Sequence, residues 1–443
     1  MLRTVLVDLS HRLRRFKEVC REYRLQVLQR LWALRQGMWI RSNSDGARVK
    51  RMNTRQVMTG NKAAACGAKL SRPGIMAVYP ITPQTTLLEY LCEYVASGEL
   101  DATMVEVESE HSVMSVLAGA AKCGSRTFTG TSGQGLLYMC EPYISVSTSR
   151  LPMVMCIVNR EVISPTTVWA GHQDAMTLRD CGWIQIYVED NQEILDTIIM
   201  AFKIAEDSDV LLPVNVCYDG FYLSHTAAIV EVPAQEDVDK FLPSYSPKHM
   251  VLDPDHPMSV DPLMPGNLLT EYRYKHLEAM ERAKLKIAEV DLEFGRIFGR
   301  TYGGLIERYR CEDAEYVLVT MGSATGTARV VVDQAREKGQ PVGLVKLRAM
   351  RPFPSKELAE VCRGKKAVGI LDRNVCFGWG SGTLFMEARS AMAMEGLTPP
   401  MVNFIGGLGG ADITIHQLED AIKAIIDIAR SGATGEVHWL GIE

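Results

Sequence analysis

No two of the eleven cysteines stand close enough to share a metal ion or a cluster. The nearest pair, Cys362 and Cys376, is 14 residues apart, so no CxxC-type spacing of a zinc or iron–sulfur site occurs. Dispersed, unpaired thiols read as reduced cysteines of a cytosolic protein, nearly all of them small buried hydrophobes. None of the nine histidines lies in an HExxH or HxH arrangement, which disfavours metal ligation and sets the expected metal sites of this chain at none. No apolar run approaches the ~18 residues of a membrane span, and no secretory h-region with a small-residue cleavage site is evident. Repeats and low-complexity tracts are missing. So is any large excess of charge: a net −5 over 443 residues gives no global pull toward nucleic acid or an anionic surface.

What is present is ordinary in bulk and uneven in detail. A composition 47% hydrophobic and 23% charged is globular, and the length suffices for two or three domains with large cores. Residues 1–51, however, carry 13 Lys+Arg against 4 Asp+Glu, a local +9 that leaves −14 for residues 52–443. From Arg12 to Arg35, Leu, Val and Trp recur at near-helical spacing among Arg and Gln, as in a basic amphipathic helix. Three readings compete for this segment: sequence upstream of a start at Met52, a membrane-surface or partner-binding helix, or a transit peptide. Asp8, Glu18 and Glu22 argue against the last.

From residue 55 strand and helix patterns alternate. Gly60–Leu70, Thr85–Ser97, Val113–Lys122 and Gln192–Asp207 read as helices; Gly74–Tyr79, Met104–Val107, Thr127–Thr129, Pro152–Val158 and Val210–Cys217 read as strands. Met153–Val158 is continuously apolar, as a strand covered on both faces should be. This alternation predicts a doubly wound α/β domain over 52–229. Residues 230–312 form a Pro-rich linker, expected to be extended, and then a long charged helix, Leu268–Ile297, with Glu271–Lys275 and Glu278–Arg282 at supporting spacing. A second α/β pattern fills 313–443, with strands at Tyr316–Thr320, Val342–Lys346 and Ala367–Leu371. Its helices fall at Gly326–Lys338, Lys356–Cys362 and Ile413–Ala429.

Polar residues gather where the strands of the first domain end. In Tyr79-Pro80-Ile81-Thr82-Pro83 two prolines hold a hydroxyl rigidly between them. Glu106, Glu108 and Glu110 alternate and would share one side if the strand continued. Glu110 opens one of the least polar helices of the chain, which reads either as a solvated helix-start charge or as a carboxyl placed for chemistry. Arg160 ends the apolar strand, either to pair with Glu161 or to grip a carboxylate with two parallel hydrogen bonds. Between them Thr131-Ser132-Gly133-Gln134-Gly135 is a small-residue turn, explained by a tight turn or by close approach to a ligand. His172 and Asp174 read as a structural hydrogen-bond network, with a channel or substrate role as the alternative.

These blocks, in this order, resemble the α subunit of the pyruvate:ferredoxin oxidoreductase family. YPITP at 79–83, VESEHS at 107–112, TSGQGL at 131–136, MVMCIVNRE at 153–161, LVKLRAMRPFP at 344–354 and GGLGGAD at 406–412 all carry the likeness. It runs from about Asn53 to the C-terminus, and residues 1–51 have no counterpart. The resemblance implies a pyrimidine-side thiamine-binding domain followed by a transketolase C-terminal-like α/β domain. It implies that Glu110 touches the aminopyrimidine nitrogen of thiamine diphosphate, a role that needs a dry carboxyl with a raised pKa. Thr82 and Arg160 would bind the oxo-acid carbonyl and carboxylate, and Tyr79 and Pro80 would line the pocket. Gly133 stands where relatives often carry a small hydroxyl residue.

The implied activity is oxidative decarboxylation of a 2-oxo acid (pyruvate, or an aromatic or branched analogue such as phenylglyoxylate) to its acyl-CoA and CO2. The Gly-Asp-Gly…Asn motif for diphosphate and magnesium is missing, since Tyr218-Asp219-Gly220 lacks the first glycine and the asparagine. Half an active site is therefore expected. A β subunit would carry the diphosphate and Mg, with iron–sulfur clusters in γ and ferredoxin-like δ subunits. Coenzyme A would be co-substrate, and ferredoxin, or NAD through a flavin subunit, the acceptor. The contrasting expectation is a non-catalytic scaffold subunit of the same kind of complex.

Overall fold

Apolar segments at strand and helix spacing recur along the chain, and the elements form where that spacing puts them. The computed structural model describes residues 54–162, 164–247, 249–432 and 435–442; the basic segment 1–51, with its three readings, lies outside the described residues. In chain order the strands are β1 (Thr54–Thr59), β2 (Ile75–Val78), β3 (Thr103–Glu106), β4 (Thr127–Thr131), β5 (Val154–Asn159), β6 (Ile184–Tyr187), β7 (Val214–Asp219) and β8 (Ala227–Val232). They continue as β9 (Ile306–Tyr309), β10 (Tyr316–Thr320), β11 (Val342–Leu347), β12 (Ala349–Arg351), β13 (Ala367–Asp372), β14 (Met401–Ile405) and β15 (Glu436–Trp439).

One sheet runs β12-β6-β7-β5-β4-β2-β3, every neighbouring pair parallel except β12 against β6. β5 and β7 are buried along their whole length. Alternate residues of β5 enter two different cores: Val154, Cys156 and Val158 meet helices Gly60–Ser71 and Asn191–Ala205, while Met155 and Ile157 meet Glu110–Lys122 and Cys140–Thr148. Two apolar faces on one strand remove the in–out alternation from its sequence. A second sheet runs β15-β14-β13-β10-β11-β9, parallel except for β9 against β11.

Three features depart from the pattern read along the chain. β1 and β8 pair antiparallel as a separate two-stranded sheet; β1, mostly exposed and reading TRQVMT, carries no apolar alternation to announce it. Part of the stretch expected to be extended is packed, because Val238, Phe241 and Leu242 recur at helical spacing, and Gln235–Phe241 forms a helix that buries them. Phe241 meets Phe294 of the long helix Gly266–Phe298 edge-on, ring centroids 5.4 Å apart. Along that helix the Glu271–Lys275 pair forms at 2.6 Å, whereas Arg282 donates to the Asp209 carbonyl at 2.8 Å rather than pairing with Glu278.

Two buried polar clusters join the sheets. Lys346 and Arg348 of the second α/β segment meet Glu193 at 2.6 and 2.8 Å. Asp219, at the carboxyl end of β7, accepts from the Ser323 backbone N–H at 3.0 Å and lies 2.9 Å from His172 Nε2 and 3.0 Å from Arg373. Burial alone would raise the Asp219 carboxyl, but Arg373 and His172 outweigh it and hold it well below the carboxylate range. Among the described residues no helix is long and apolar enough to cross a membrane.

Candidate active site

The loop after β2 is held from behind. Asn61 Nδ2 donates to the Pro83 carbonyl at 2.8 Å and to Thr86 Oγ1 at 2.7 Å, and Tyr218 fixes Asn61 in turn at 2.8 Å. Gln84, fully buried, donates to the Gly130 carbonyl at 2.8 Å. With its base tied down, the loop leaves Pro80 and Thr82 exposed at the strand end and Tyr79 half-buried against the apolar core.

The three alternating glutamates part company, because β3 stops at Glu106 and a new helix starts at Glu110. Ser109 caps that helix by accepting from Ser112 N at 3.3 Å. Glu106 and Glu108 are exposed; Glu110 is 7% exposed. Burial pushes its carboxyl above the ordinary value, while its own backbone N–H and the charge of Arg160 pull the other way. Its place is opened by Gly135, where a Cβ would lie only 2.4 Å from Glu110 Oε1 and 2.8 Å from Thr131 Oγ1.

Arg160 is 8% exposed and turns toward the same spot. It makes no ion pair with Glu161; its terminal nitrogens donate to the Thr82 carbonyl at 2.7 Å and to Gln134 Oε1 at 2.5 Å. Its stem runs over Gly133, whose φ is +49° and where a Cβ would come within 3.0 Å of Nε. Nε itself is buried without a partner, as is Thr131 Oγ1. Each terminal nitrogen retains a second N–H, a donor left for a carboxylate. Burial lowers the guanidinium from its usual value, with Asp174 and Glu110 opposing.

The structure thus brings Thr82, Glu110 and Arg160 together around one short helix, Gly133–Tyr138, with Tyr79 and Pro80 beside them in the chain. The two glycines of the TSGQGL turn face these side chains. Gln134 and Gln84, which hold Arg160 and the loop, went unread in the sequence; the glutamine inside TSGQGL was the available signal. A cavity of about 440 Å³ between Cys140–Thr148 and the long helix, lined by Thr148, Arg179, Cys181, His276 and Met280 among others, includes none of the three. Asp219 is unavailable to a metal in this fold, because its carboxylate is consumed by Ser323, His172 and Arg373. Among the described residues no group of three or more His, Cys, Asp or Glu could hold a metal ion.

Residues 66–291 match the family described as pyruvate flavodoxin/ferredoxin oxidoreductase, thiamine diphosphate-binding, and residues 314–418 match pyruvate:ferredoxin oxidoreductase core domain II. Over 391 residues, 86% of this chain and 93% of the relative, it is 46% identical to the alpha subunit of NADH-dependent phenylglyoxylate dehydrogenase from Aromatoleum evansii. The chain belongs to the pyruvate:ferredoxin oxidoreductase family. Another family member, pyruvate synthase subunit PorA of Methanocaldococcus jannaschii, is 47% identical over 389 residues, covering 88% of this chain and 98% of that one. A solved 2-oxoglutarate:ferredoxin oxidoreductase from Magnetococcus marinus, with 2-oxoglutarate, coenzyme A and succinyl-CoA bound, superposes with a TM-score of 0.67 at 20% identity. That match covers 84% of this chain but only 65% of the longer one, and at such identity it establishes the α/β fold alone.

Proposed function

We propose that this chain, an α-type member of its family, supplies the pyrimidine-side half of a thiamine-dependent 2-oxo acid oxidoreductase. The observation that carries the reading is the meeting of a buried carboxyl and a buried guanidinium at the exposed end of one sheet. The residues present fit thiamine diphosphate: Glu110 sits in a dry niche kept open by Gly135, as a carboxyl must if it is to share a proton with the aminopyrimidine nitrogen. When bound, that cofactor supplies the carbon nucleophile for the oxo carbon and takes up the electron pair left by departing CO2.

The chain's own groups then have separate tasks. Glu110 holds and returns a proton at the aminopyrimidine. Arg160 takes the substrate carboxylate on its remaining N–H groups, and the Thr82 hydroxyl reaches the oxo oxygen. Tyr79 and Pro80 form the wall. The exposed setting of Thr82 and Pro80 leaves one side for a β subunit carrying the diphosphate and Mg, with iron–sulfur clusters in γ and ferredoxin-like δ subunits. The product is the acyl-CoA, with coenzyme A as co-substrate and ferredoxin or NAD as acceptor, in the cytoplasm. The domains are proposed as 52–229 pyrimidine-side, 230–312 connecting, and 313–443 of transketolase C-terminal type.

Purification of the native complex tests this. Bound thiamine diphosphate, iron and acid-labile sulfide, with turnover of pyruvate, a branched-chain 2-oxo acid or phenylglyoxylate in the presence of coenzyme A, are expected. A complex free of thiamine, or inert toward all three acids, would refute it.

A further inference from the structure

Asp174 has no exposed surface and makes no ion pair, yet four donors from three segments of the chain converge on its carboxylate. Oδ2 accepts from the backbone N–H groups of Gly133 and Arg160, each at 3.0 Å. Oδ1 accepts from Asn159 Nδ2 and from its own neighbour Ala175 N, both at 2.8 Å. Gly133 follows β4 and Arg160 follows β5, adjacent parallel strands. One oxygen therefore sets the spacing of the two loops whose contact shapes the Arg160 side chain.

The Arg160 stem lies on the bare face of Gly133, where a Cβ would come within 3.0, 3.2 and 3.4 Å of Nε, Cδ and Cγ. Moving either backbone tilts the guanidinium away from the Thr82 carbonyl and Gln134. Asp174 is in turn braced through His172, whose backbone N–H donates to the Arg373 carbonyl at 2.9 Å and whose ring meets Asp219. We infer that Asp174 is a positioning residue for Arg160, setting the aim of the guanidinium at the substrate carboxylate; this rests on the reading of Arg160 as a carboxylate clamp. A carboxylate suits the task because an ionised one only accepts, whereas asparagine must turn its NH2 toward two of the four donors. Two buried N–H groups would then face a donor, and the loops would part.

The test is a double-mutant cycle in the complete purified complex, with Asp174→Asn and Arg160→Leu singly and together. Asp174→Asn is expected to raise the KM for the 2-oxo acid by about tenfold or more. Substrate-free proton exchange at the thiamine C2, followed by NMR, should change less than KM does, because Asp174 holds the Arg160 and Gly133 backbone directly but makes no hydrogen bond to Glu110 itself. In the Arg160→Leu background Asp174→Asn should add less than about twofold to KM. A wild-type KM for Asp174→Asn beside an impaired Arg160→Leu would overturn this inference alone, as would an equal loss in both backgrounds. An unaffected Arg160→Leu would instead sink the clamp reading, and this inference with it. Should the asparagine variant not assemble, Asp174→Glu keeps all acceptor capacity but shifts the carboxylate by one methylene, and carries the same expectation and refutation.

Discussion

Replacing Gly135 with alanine probes the acidic niche without touching the acid. The new methyl would stand 2.4 Å from Glu110 Oε1 and 2.9 Å from its Cδ, well inside contact distance. The Glu110 carboxyl is the free end of a side chain, so it yields rather than the backbone. Reaching ordinary contact near 3.4 Å requires a displacement of about 1 Å. A misplacement of that size at a reacting group can lower the rate about 100-fold, equivalent to ~2.7 kcal/mol in the barrier. Helix Gly133–Tyr138 is not strained by alanine at 135, where φ is not positive, and alanine favours the helix by ~0.5–1 kcal/mol over glycine. The buried Thr131 hydroxyl, 2.8 Å from the new methyl, must also give way and offsets that gain. The expected variant therefore assembles with a melting temperature near or somewhat below that of the wild type, and loses both turnover and substrate-free proton exchange at the thiamine C2. Stopped-flow reduction of the acceptor and NMR exchange in deuterated buffer read the two quantities. Full activity with wild-type exchange would show that the Glu110 position is irrelevant to chemistry, and the assignment would fall.

Other substitutions separate the roles. Glu110→Ala should abolish turnover while the complex still assembles, and retained activity would favour a scaffold subunit. Arg160→Leu should raise KM at least tenfold for every 2-oxo acid, by ~1.4 kcal/mol or more; unchanged kinetics would remove the clamp. Burial pushes the Glu161 carboxyl from its ordinary 4.5 up to about 7, opposed by the Gly409 N–H and Arg373 and reinforced by Asp174. The folded state thus holds this proton more tightly, so its stabilising contribution is complete below about pH 4.5 and is lost as pH rises through about 7. Glu161→Gln should consequently gain on the wild type by roughly 1–3 kcal/mol between pH 5 and 8, seen as a growing difference in melting temperature; parallel curves would contradict it. Asp219→Asn leaves Arg373 buried against a neutral group, with an expected loss of ~3–5 kcal/mol in chemical denaturation; a loss below ~1 kcal/mol would mean the pin between the sheets is idle.

Much of the architecture is written locally. The continuous apolar run at 153–158 announces a strand covered on both faces, because burial on a given face dictates which residues recur, and charges four apart, as at Glu271 and Lys275, announce the long helix. Strands that owe their place to a distant partner leave no such trace: β1 is polar and mostly exposed, and Ala349–Arg351, three residues long, leaves the second α/β segment to edge the first sheet. In the site, the residue types of YPITP, Glu110 and Arg160 could be picked out along the chain. Whether Glu110 was solvated or dry, and whether Arg160 met Glu161 or a free niche, could not, since both alternatives fit the same letters. Those choices were made by the packing of Gly133 and Gly135 against two side chains from elsewhere in the chain, one opening helix Glu110–Lys122 and one just past β5, and by Asp174 drawing the loops of β4 and β5 together. Sequence specifies the elements and the chemistry available at their ends; only the tertiary fold sets the dielectric, the distances and the aim, because each depends on atoms far apart in the chain.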